Sequence, residues 1–246
     1  MKTDWDYSER AATYDKRADY SNEAIDDLLN ILDCKEDHII ADIGAGTGKL
    51  SIPLLKRGFR VICVEPNDNM RKIGIDNTKN FKAEWIEGTG EKTNINDSSV
   101  NHVFFGSSFN VINQEHALKE TKRILKNKGS FACMWNHRDL SDPVQKEIEK
   151  IIRKHIPNYN YGTRREDPTD VISKSNMFTK VKNIQKHFIV KMKTQDIISA
   201  WESHETLSRQ AGNNFKKIIS DIHSYLKKRD FYNVPYTTKI WYANLL

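Results

Sequence analysis

Residues 38–48 read HIIADIGAGTG, and a second apolar run, VICVEP at residues 61–66, carries an acid, Glu65, near its end. In the first stretch an apolar run gives way to three glycines at alternate positions. Glycine permits positive φ angles and lets backbone N–H groups approach a ligand where a helix begins. The acid of the second run stands where a carboxylate can accept hydrogen bonds from both hydroxyls of a ribose. Together the two runs predict a βαβ unit that binds adenosine.

The spacing of the glycines decides among the ligands that such a unit can bind. A dinucleotide fingerprint needs G-x-G-x-x-G, but Lys49 occupies the place of the third glycine. A phosphate-binding P-loop needs G-x-x-x-x-G-K-[ST], yet Ile43 stands at its first glycine position and Leu50 follows the lysine. What remains is D-x-G-x-G-x-G, beginning at Asp42, together with the distant acid.

That pattern resembles the cofactor loop of class I, Rossmann-like methyltransferases, which use S-adenosylmethionine (SAM). Residues 85–91 (WIEGTGE) and 96–103 (NDSSVNHV) resemble the third strand, adenine-contacting turn and fourth strand of that family. Residues 120–131 (ETKRILKNKGSF) are similar to its E-x-x-R-V-L-K-P-G-G helix and turn. The resemblance covers residues 38–136. It implies an α/β fold with a doubly wound, seven-stranded, mostly parallel sheet and helical cap insertions.

The alternation of strand and helix signals along the chain independently favours a parallel, doubly wound sheet. Its ligand is expected at the carboxyl ends of strands one and four, where the strand order reverses. The apolar runs predict strands at residues 38–43, 60–65, 82–87, 100–105, 130–135, 181–192 and 236–246. Helical periodicity predicts helices at residues 21–32 (capped by Ser21), 48–57, 67–78, 115–125, 143–156, 196–207 and 215–226.

Residues 1–246 are expected to form a single domain, because no proline- or glycine-rich linker divides them. Residues 7–20 resemble the lead-in of a small-molecule subgroup that includes trans-aconitate methyltransferase, where this segment folds over the cofactor as a lid, and residues 1–30 are expected to form that lid here. Residues 139–178 and 194–232 follow strands five and six, on the cleft edge of the sheet. We expect these two insertions to form a helical cap.

Charge and composition restrict the class of partner. The formal net charge is +6 and the pI is near 9.0, yet the lysines and arginines are scattered among acids rather than clustered for nucleic-acid binding. No run approaches 18 apolar residues and no signal-type segment opens the chain, so a cytoplasmic protein without a membrane partner is expected. The cysteines Cys34, Cys63 and Cys133 lack metal-site spacing, and no metal site is expected.

The resemblance also implies which residues bind the cofactor. The glycine loop would approach the methionine part of SAM, Glu65 would hold the ribose, and Met70 would pack on the adenine. An aromatic face such as that of Tyr14 can stabilise a sulfonium cation. The predicted SAM-binding residues are Tyr14, Asp42, Gly44, Ala45, Gly46, Glu65, Pro66, Met70, Gly90, Glu91 and Ser107.

The acceptor chemistry sets which side chains are needed. Methyl transfer from SAM is a direct displacement to which positioning in a dry pocket contributes much of the rate. A carboxylate or free amine needs little help, whereas a hydroxyl needs a base. The catalytic candidates are His137, His204 and Asn110, the last standing where the subgroup commonly has histidine. The substrate-binding candidates are Arg17, Tyr20, Phe109, Asn110, Trp135, Arg138 and Trp201, of which the arginines could clamp an anionic acceptor.

These observations predict an enzyme that transfers a methyl group from SAM to oxygen or nitrogen of a small polar metabolite in a capped pocket. An RNA or protein methyltransferase is the closest alternative, although residues 106–109 read GSSF where base-modifying enzymes carry N-P-P-[YF]. A non-catalytic SAM-binding partner subunit is a third possibility. It would keep the cofactor pattern and lose the acceptor pocket.

Overall fold

The computed structural model describes residues 16–246, apart from the side chain of Arg164. Its strands are β1 (Ile39–Ile43), β2 (Arg60–Val64), β3 (Ala83–Ile86), β4 (Val100–Gly106), β5 (Leu125–Arg138), β6 (Lys182–Lys193) and β7 (Phe231–Asn244). Its helices are α1 (Asn22–Ile31), α2 (Ser51–Lys56), α3 (Asp68–Thr78), α4 (Gln114–Ile124), α5 (Pro143–His155), α6 (Thr169–Lys174), α7 (Thr194–Glu202), α8 (Glu205–Ala211) and α9 (Phe215–Leu226).

The strands form one seven-stranded sheet in the order β3-β2-β1-β4-β5-β7-β6. The first five strands along the chain pair in parallel, and β7 runs antiparallel to both β5 and β6. The order reverses at β1, which lies between β2 and β4. A crevice therefore opens at the carboxyl ends of β1 and β4, as doubly wound sheets require. The predicted fold class is confirmed.

Apolar side chains cover both faces of the parallel part of the sheet. Ile40 and Phe104 face α1 and α2, whereas Val103 and Phe131 face α4, and all four are fully buried. Burial on both faces explains why the parallel strands read as continuous apolar runs rather than alternating ones. Helices therefore flank this sheet on both sides and leave its carboxyl edge for the loops that form the site.

The helical insertions have a hydrophobic cluster of their own. Ile148 of α5, Ile197 of α7 and Ile218 of α9 are buried in it together with Val234 and Tyr236 of β7. This packing attaches the inserted helices to the N-terminal half of β7, the long antiparallel strand beside β5. We call the group α5, α7, α8 and α9 the cap helices.

Most predicted elements agree with the structure within a few residues, and Ser21 caps α1 by accepting a hydrogen bond from Ala24 N at 3.3 Å. The single helix predicted at residues 196–207 is instead two helices. The His204 side chain caps the N-terminus of α8 by accepting a hydrogen bond from Leu207 N at 3.2 Å, so a new helix begins there instead of α7 continuing. Helix α6 was missed because it is only six residues long. Strand β5 is longer than predicted because β7 pairs with it as far as Arg138.

Candidate cofactor and acceptor site

The glycine loop leaves β1 with positive φ angles, +71° at Gly44 and +59° at Gly46. A Cβ atom at Gly44 would lie 2.5 Å from Ser108 Cβ, so only glycine fits there. The amides of Gly44 and Ala45 donate to Val64 O at 2.8 and 3.0 Å, which fixes the loop to the end of β2. The chain thus builds a tight, backbone-lined cradle at the predicted position.

Glu65 connects this cradle to the next helix. Its side chain is buried, Oε2 accepts from Gly46 N at 2.9 Å, and Oε1 accepts from Asn67 N at 2.8 Å. Burial raises the pKa of Glu65, while these two N–H groups and the nearby Arg71 act in the opposite direction. The acid therefore lies against the loop and beside the N-terminus of α3, which Asn67 caps.

Asp42 lies fully buried at the end of β1. Its Oδ2 accepts from Ser51 Oγ at 2.6 Å, whereas Oδ1 has no hydrogen-bond partner within residues 16–246. Burial raises the pKa of Asp42 to about 7, opposed by the Ser51 hydrogen bond and increased by the charge of Glu65. A buried acceptor left unpaired next to the cradle is a position where a ligand donor or an ordered water would be stabilised.

The other predicted cofactor residues lie around the same strand ends. Met70 is buried, with its Cε 3.2 Å from where a Cβ at Gly46 would stand, and Pro66 directly follows Glu65. Gly90 and Glu91 form the turn after β3. Gly90 packs against Ile112, and Glu91 Oε1 accepts from Asn113 N at 2.8 Å. Tyr14 lies outside the described residues. Adenine and sulfonium contacts by these side chains stay predictions.

A cavity lies beside the cradle, and its wall combines the strand ends with the cap helices. Lys49 and Ser107 line it on the cofactor side, and residues 135–138 at the end of β5 line it from the sheet. Ser107 has φ +62°, and its Oγ lies 2.8 Å from the hydroxyl of Tyr20. The predicted acceptor residues that the cavity brings together are Arg17, Tyr20, Trp135, Arg138 and Trp201.

Two of the predicted acceptor residues, Phe109 and Asn110, are not among the residues that line the cavity. Phe109 is fully buried in the core, where its ring packs edge-on against Phe105 and Phe131 at centroid distances of 5.2 Å. Asn110 does not line the cavity; its Oδ1 accepts from Trp135 Nε1 at 2.7 Å. The short 3₁₀ turn Phe109–Val111 thus carries one ring of the core and one amide that holds the cavity residue Trp135.

The two histidine candidates differ in geometry. His204 Nδ1 accepts the backbone hydrogen bond that caps α8, so the neutral ring carries its proton on Nε2 and has no free basic nitrogen. Its ring stacks on Trp201 with centroids 5.1 Å apart. His137 is 9% exposed, belongs to β5 and lines the cavity. Both histidines line the cavity, and the capping hydrogen bond makes His204 the poorer candidate base.

Sequence reasoning missed the polar residues that hold the lead-in segment, residues 17–21, against the cavity. Asn136 Nδ2 donates to Ala18 O at 3.2 Å and to Asp19 O at 2.8 Å. Asn136 Oδ1 accepts from Thr238 Oγ1 at 2.6 Å, and Thr238 Oγ1 in turn accepts from Ser21 N at 2.9 Å. No local motif marks these residues, because their partners come from β5, β7 and the lead-in segment.

A second anchor of the lead-in segment comes from the glycine loop. Lys49 Nζ donates to Arg17 O at 2.9 Å and pairs with Asp19 at 2.8 Å. Arg17 in turn donates to Ser203 Oγ at 2.9 Å, at the end of α7. The lead-in segment therefore contacts the loop, the sheet and the cap helices, and closes one side of the cavity.

Comparisons with known proteins agree with this geometry. Residues 41–133 match the sequence profile of a family described as a methyltransferase domain. An uncharacterized methyltransferase of Mycobacterium bovis is 31% identical over 136 residues, covering 55% of this chain and 54% of that protein. A ubiquinone/menaquinone biosynthesis C-methyltransferase of Zymomonas mobilis is 31% identical over 114 residues, covering 44% and 47%. The chain thus spans about half the length of the curated relatives it matches.

Solved structures share the fold over most of the chain. A putative methyltransferase from an antibiotic biosynthesis pathway of Anabaena variabilis superposes with a TM-score of 0.58 at 18% identity, covering 89% of this chain and 96% of that one. A phosphoethanolamine N-methyltransferase of Haemonchus contortus, in complex with phosphomonomethylethanolamine and S-adenosylhomocysteine, gives 0.57 at 15% identity, covering 96% and 57%.

The sheet order and the glycine loop are those of the class I, Rossmann-like methyltransferase fold, and residues 41–133 match the profile of a methyltransferase domain. SAM is the cofactor of this class, and residues 41–133 are the part of the chain that carries the family's sequence pattern. Within residues 16–246, no helix is long and apolar enough to cross a membrane, and no cluster of three or more metal-ligating side chains occurs.

Proposed function

We propose that this protein transfers a methyl group from SAM to an oxygen or nitrogen atom of a small polar molecule bound in the cavity. The observation that carries the proposal is the composition of the cavity wall. Lys49 and Ser107 belong to the loops that define the cofactor side, and they line the same space as Arg138 and Trp201. An acceptor in this space would lie next to the cofactor loop, as a direct displacement requires.

The residues present fit SAM. The Gly44 and Gly46 backbone would lie against the methionine part, Glu65 would accept from the ribose, and the unpaired Asp42 Oδ1 would accept from a donor near the loop. When bound, SAM supplies an electrophilic methyl group on a sulfonium centre. The protein's own part is to position the acceptor and to exclude water from it.

Closure and proton removal are the two tasks that fall to the chain's side chains. The lead-in segment and the cap helices enclose the cavity and would keep water from the acceptor. A carboxylate or a free amine needs no base from the protein. For a hydroxyl acceptor, His137 is the cavity-lining residue that we assign to proton removal.

The rival functions fit the site less well. A macromolecular acceptor, RNA or protein, would have to enter a cavity that the lead-in segment covers on one side. A non-catalytic SAM-binding subunit would not need the cavity at all, yet polar and aromatic side chains line it. We therefore expect a small-molecule partner rather than nucleic acid, and a cytoplasmic location.

Calorimetric titration with SAM and with S-adenosylhomocysteine tests the cofactor assignment first. We expect one-to-one binding by the wild-type protein and roughly tenfold or greater weakening in Glu65→Gln. The substitution removes a negatively charged hydrogen-bond acceptor for the ribose hydroxyls. Glu84→Gln is the matched control, since Glu84 is an exposed acid of β3. No binding by folded wild-type protein would overturn the proposal. Binding without methyl transfer to any screened acceptor would favour the partner-subunit alternative.

A further inference from the structure

Two guanidinium groups stand next to each other on the cavity wall. Arg165 Nη2 donates to Arg138 O at 2.9 Å, and the charge of Arg138 adds to the burial that lowers the pKa of Arg165. Arg138 lies over the ring of Trp201 at 4.3 Å, and Arg165 over the ring of Tyr161 at 4.8 Å. Neither guanidinium forms an ion pair with any acid in the described part of the chain. Two adjacent cations without a paired acid would be stabilised by an anion.

Trp201 supplies a second and independent observation. Its side chain is 4% exposed and lines the cavity, and its Nε1 has no hydrogen-bond partner among residues 16–246. Buried indole N–H groups usually find an acceptor. The acceptor missing here must carry an oxygen or nitrogen lone pair. The same ring bears the Arg138 guanidinium on its face, so the unpaired donor and the unpaired charge belong to one cluster.

The remainder of the wall indicates the shape and charge of the ligand. The rings of Trp135, Tyr161 and Tyr236 line the cavity and suit a flat apolar body. Glu149 is also on this wall, where it bonds to Tyr161 and pairs with Arg153 at 2.8 Å. Its charge also acts on Arg165, where it raises the pKa. Glu149 therefore offsets part of the positive charge of the two guanidinium groups, which favours a singly charged ligand over a phosphate monoester.

We propose that the acceptor is an aromatic carboxylic acid whose carboxylate binds to Arg138, Arg165 and the Trp201 indole N–H. Guanidinium groups bind carboxylates through paired donors, and the indole supplies a third. The aromatic body then packs between the rings of the wall. This inference rests on the proposed function, since it names the substrate class of the same cavity. It predicts recognition of the acid group and leaves the methylated atom open.

The test uses ligand-observed NMR titration of the full-length protein with four small probes, in the presence and absence of S-adenosylhomocysteine. Benzoate carries both features, benzamide lacks the charge, cyclohexanecarboxylate lacks the aromatic ring, and phenyl phosphate carries a second charge. We expect benzoate to bind about tenfold more tightly than each of the other three. Benzamide loses the charge-assisted contact and cyclohexanecarboxylate loses the stacking contact, whereas phenyl phosphate adds a second charge that Glu149 opposes.

Variants assign that binding to the cluster. Arg138→Gln and Arg165→Gln should each weaken benzoate by about tenfold while leaving benzamide nearly unchanged. Trp201→Phe should weaken both probes, since the carbonyl oxygen of benzamide can accept from the same indole N–H. Arg60→Gln, an exposed arginine of β2, is the control and should change neither affinity. Trp201→Phe keeps an aromatic face beneath Arg138 and removes the N–H donor.

Several results would overturn the inference. Equal affinity for benzoate and benzamide would refute anion recognition, and tighter binding of phenyl phosphate would refute the choice of a carboxylate. Unchanged benzoate affinity in both arginine variants would place the anion elsewhere. The probes are also titrated without S-adenosylhomocysteine, so loss of cofactor binding and loss of acid binding are separate results. Failure of the proposed methyl transfer can therefore be distinguished from failure of carboxylate recognition.

Discussion

Asn136→Ala should release the lead-in segment from the sheet. The amide makes three hydrogen bonds, two to the carbonyls of Ala18 and Asp19 and one from the Thr238 hydroxyl. A net contribution of about 0.5–1.5 kcal/mol for each bond gives about 1–3 kcal/mol in all, because the Asp19 bond is exposed and contributes least. Thr238 is fully buried, so its hydroxyl would keep only its bond from Ser21 N.

Most of this loss is expected as local opening of residues 17–21 rather than as global unfolding, since the segment lies outside the sheet. Hydrogen exchange of the Ser21 amide should accelerate by roughly tenfold or more, and the KM for the acceptor should rise more than the Kd for SAM. Asn183→Ala, an exposed change on β6, is the matched control. Unchanged exchange at Ser21 together with an unchanged acceptor KM would refute the anchoring role of Asn136.

Three further changes give expected outcomes. Burial raises the Asp42 pKa to about 7, so Asp42 contributes to the free energy of unfolding at low pH and this contribution is lost as the pH rises from about 4 to 7. Asp42→Asn should therefore reduce the fall in unfolding free energy that denaturant titrations measure across this pH range. Gly44→Ala should abolish SAM binding in calorimetry because its Cβ would clash with Ser108, whereas Gly58→Ala, with similar positive φ but open space, should cost only about 1 kcal/mol and leave binding intact. Phe109→Ala should lower the unfolding free energy by about 3–5 kcal/mol, and unchanged stability with altered acceptor preference would contradict its place in the core.

The parallel half of the fold could be predicted from the sequence because its signals are local. Ile40 and Val61 sit in short continuous apolar runs, since both faces of the strands are covered. The three glycines and Glu65 also act within one βαβ unit, so their spacing alone located the cradle. The split between α7 and α8 was missed because the side chain of His204 competes for a backbone amide, which hydrophobic periodicity does not record.

The acceptor side was predicted less well, for a physical reason. Position in sequence placed Phe109 and Trp135 equally close to the cleft, yet only packing decides which ring turns inward. Phe109 packs with Phe105 and Phe131 in the core. Trp135 lines the cavity instead, where its N–H donates to Asn110. Such choices depend on contacts between elements far apart in the chain, and no local pattern contains them.

Lys49 shows how one substitution in a motif can carry two consequences. In the sequence it only removes the third glycine and excludes a dinucleotide. In the structure its ammonium binds Arg17 O and Asp19. A glycine at this position would remove both of these polar contacts, because glycine has no side chain to donate. Lys49 thus also joins the cofactor loop to the lead-in segment. Arg17 of that segment is hydrogen-bonded to Ser203 at the end of α7, one of the cap helices. The loop and the acceptor cavity are therefore mechanically connected through residues 17–19.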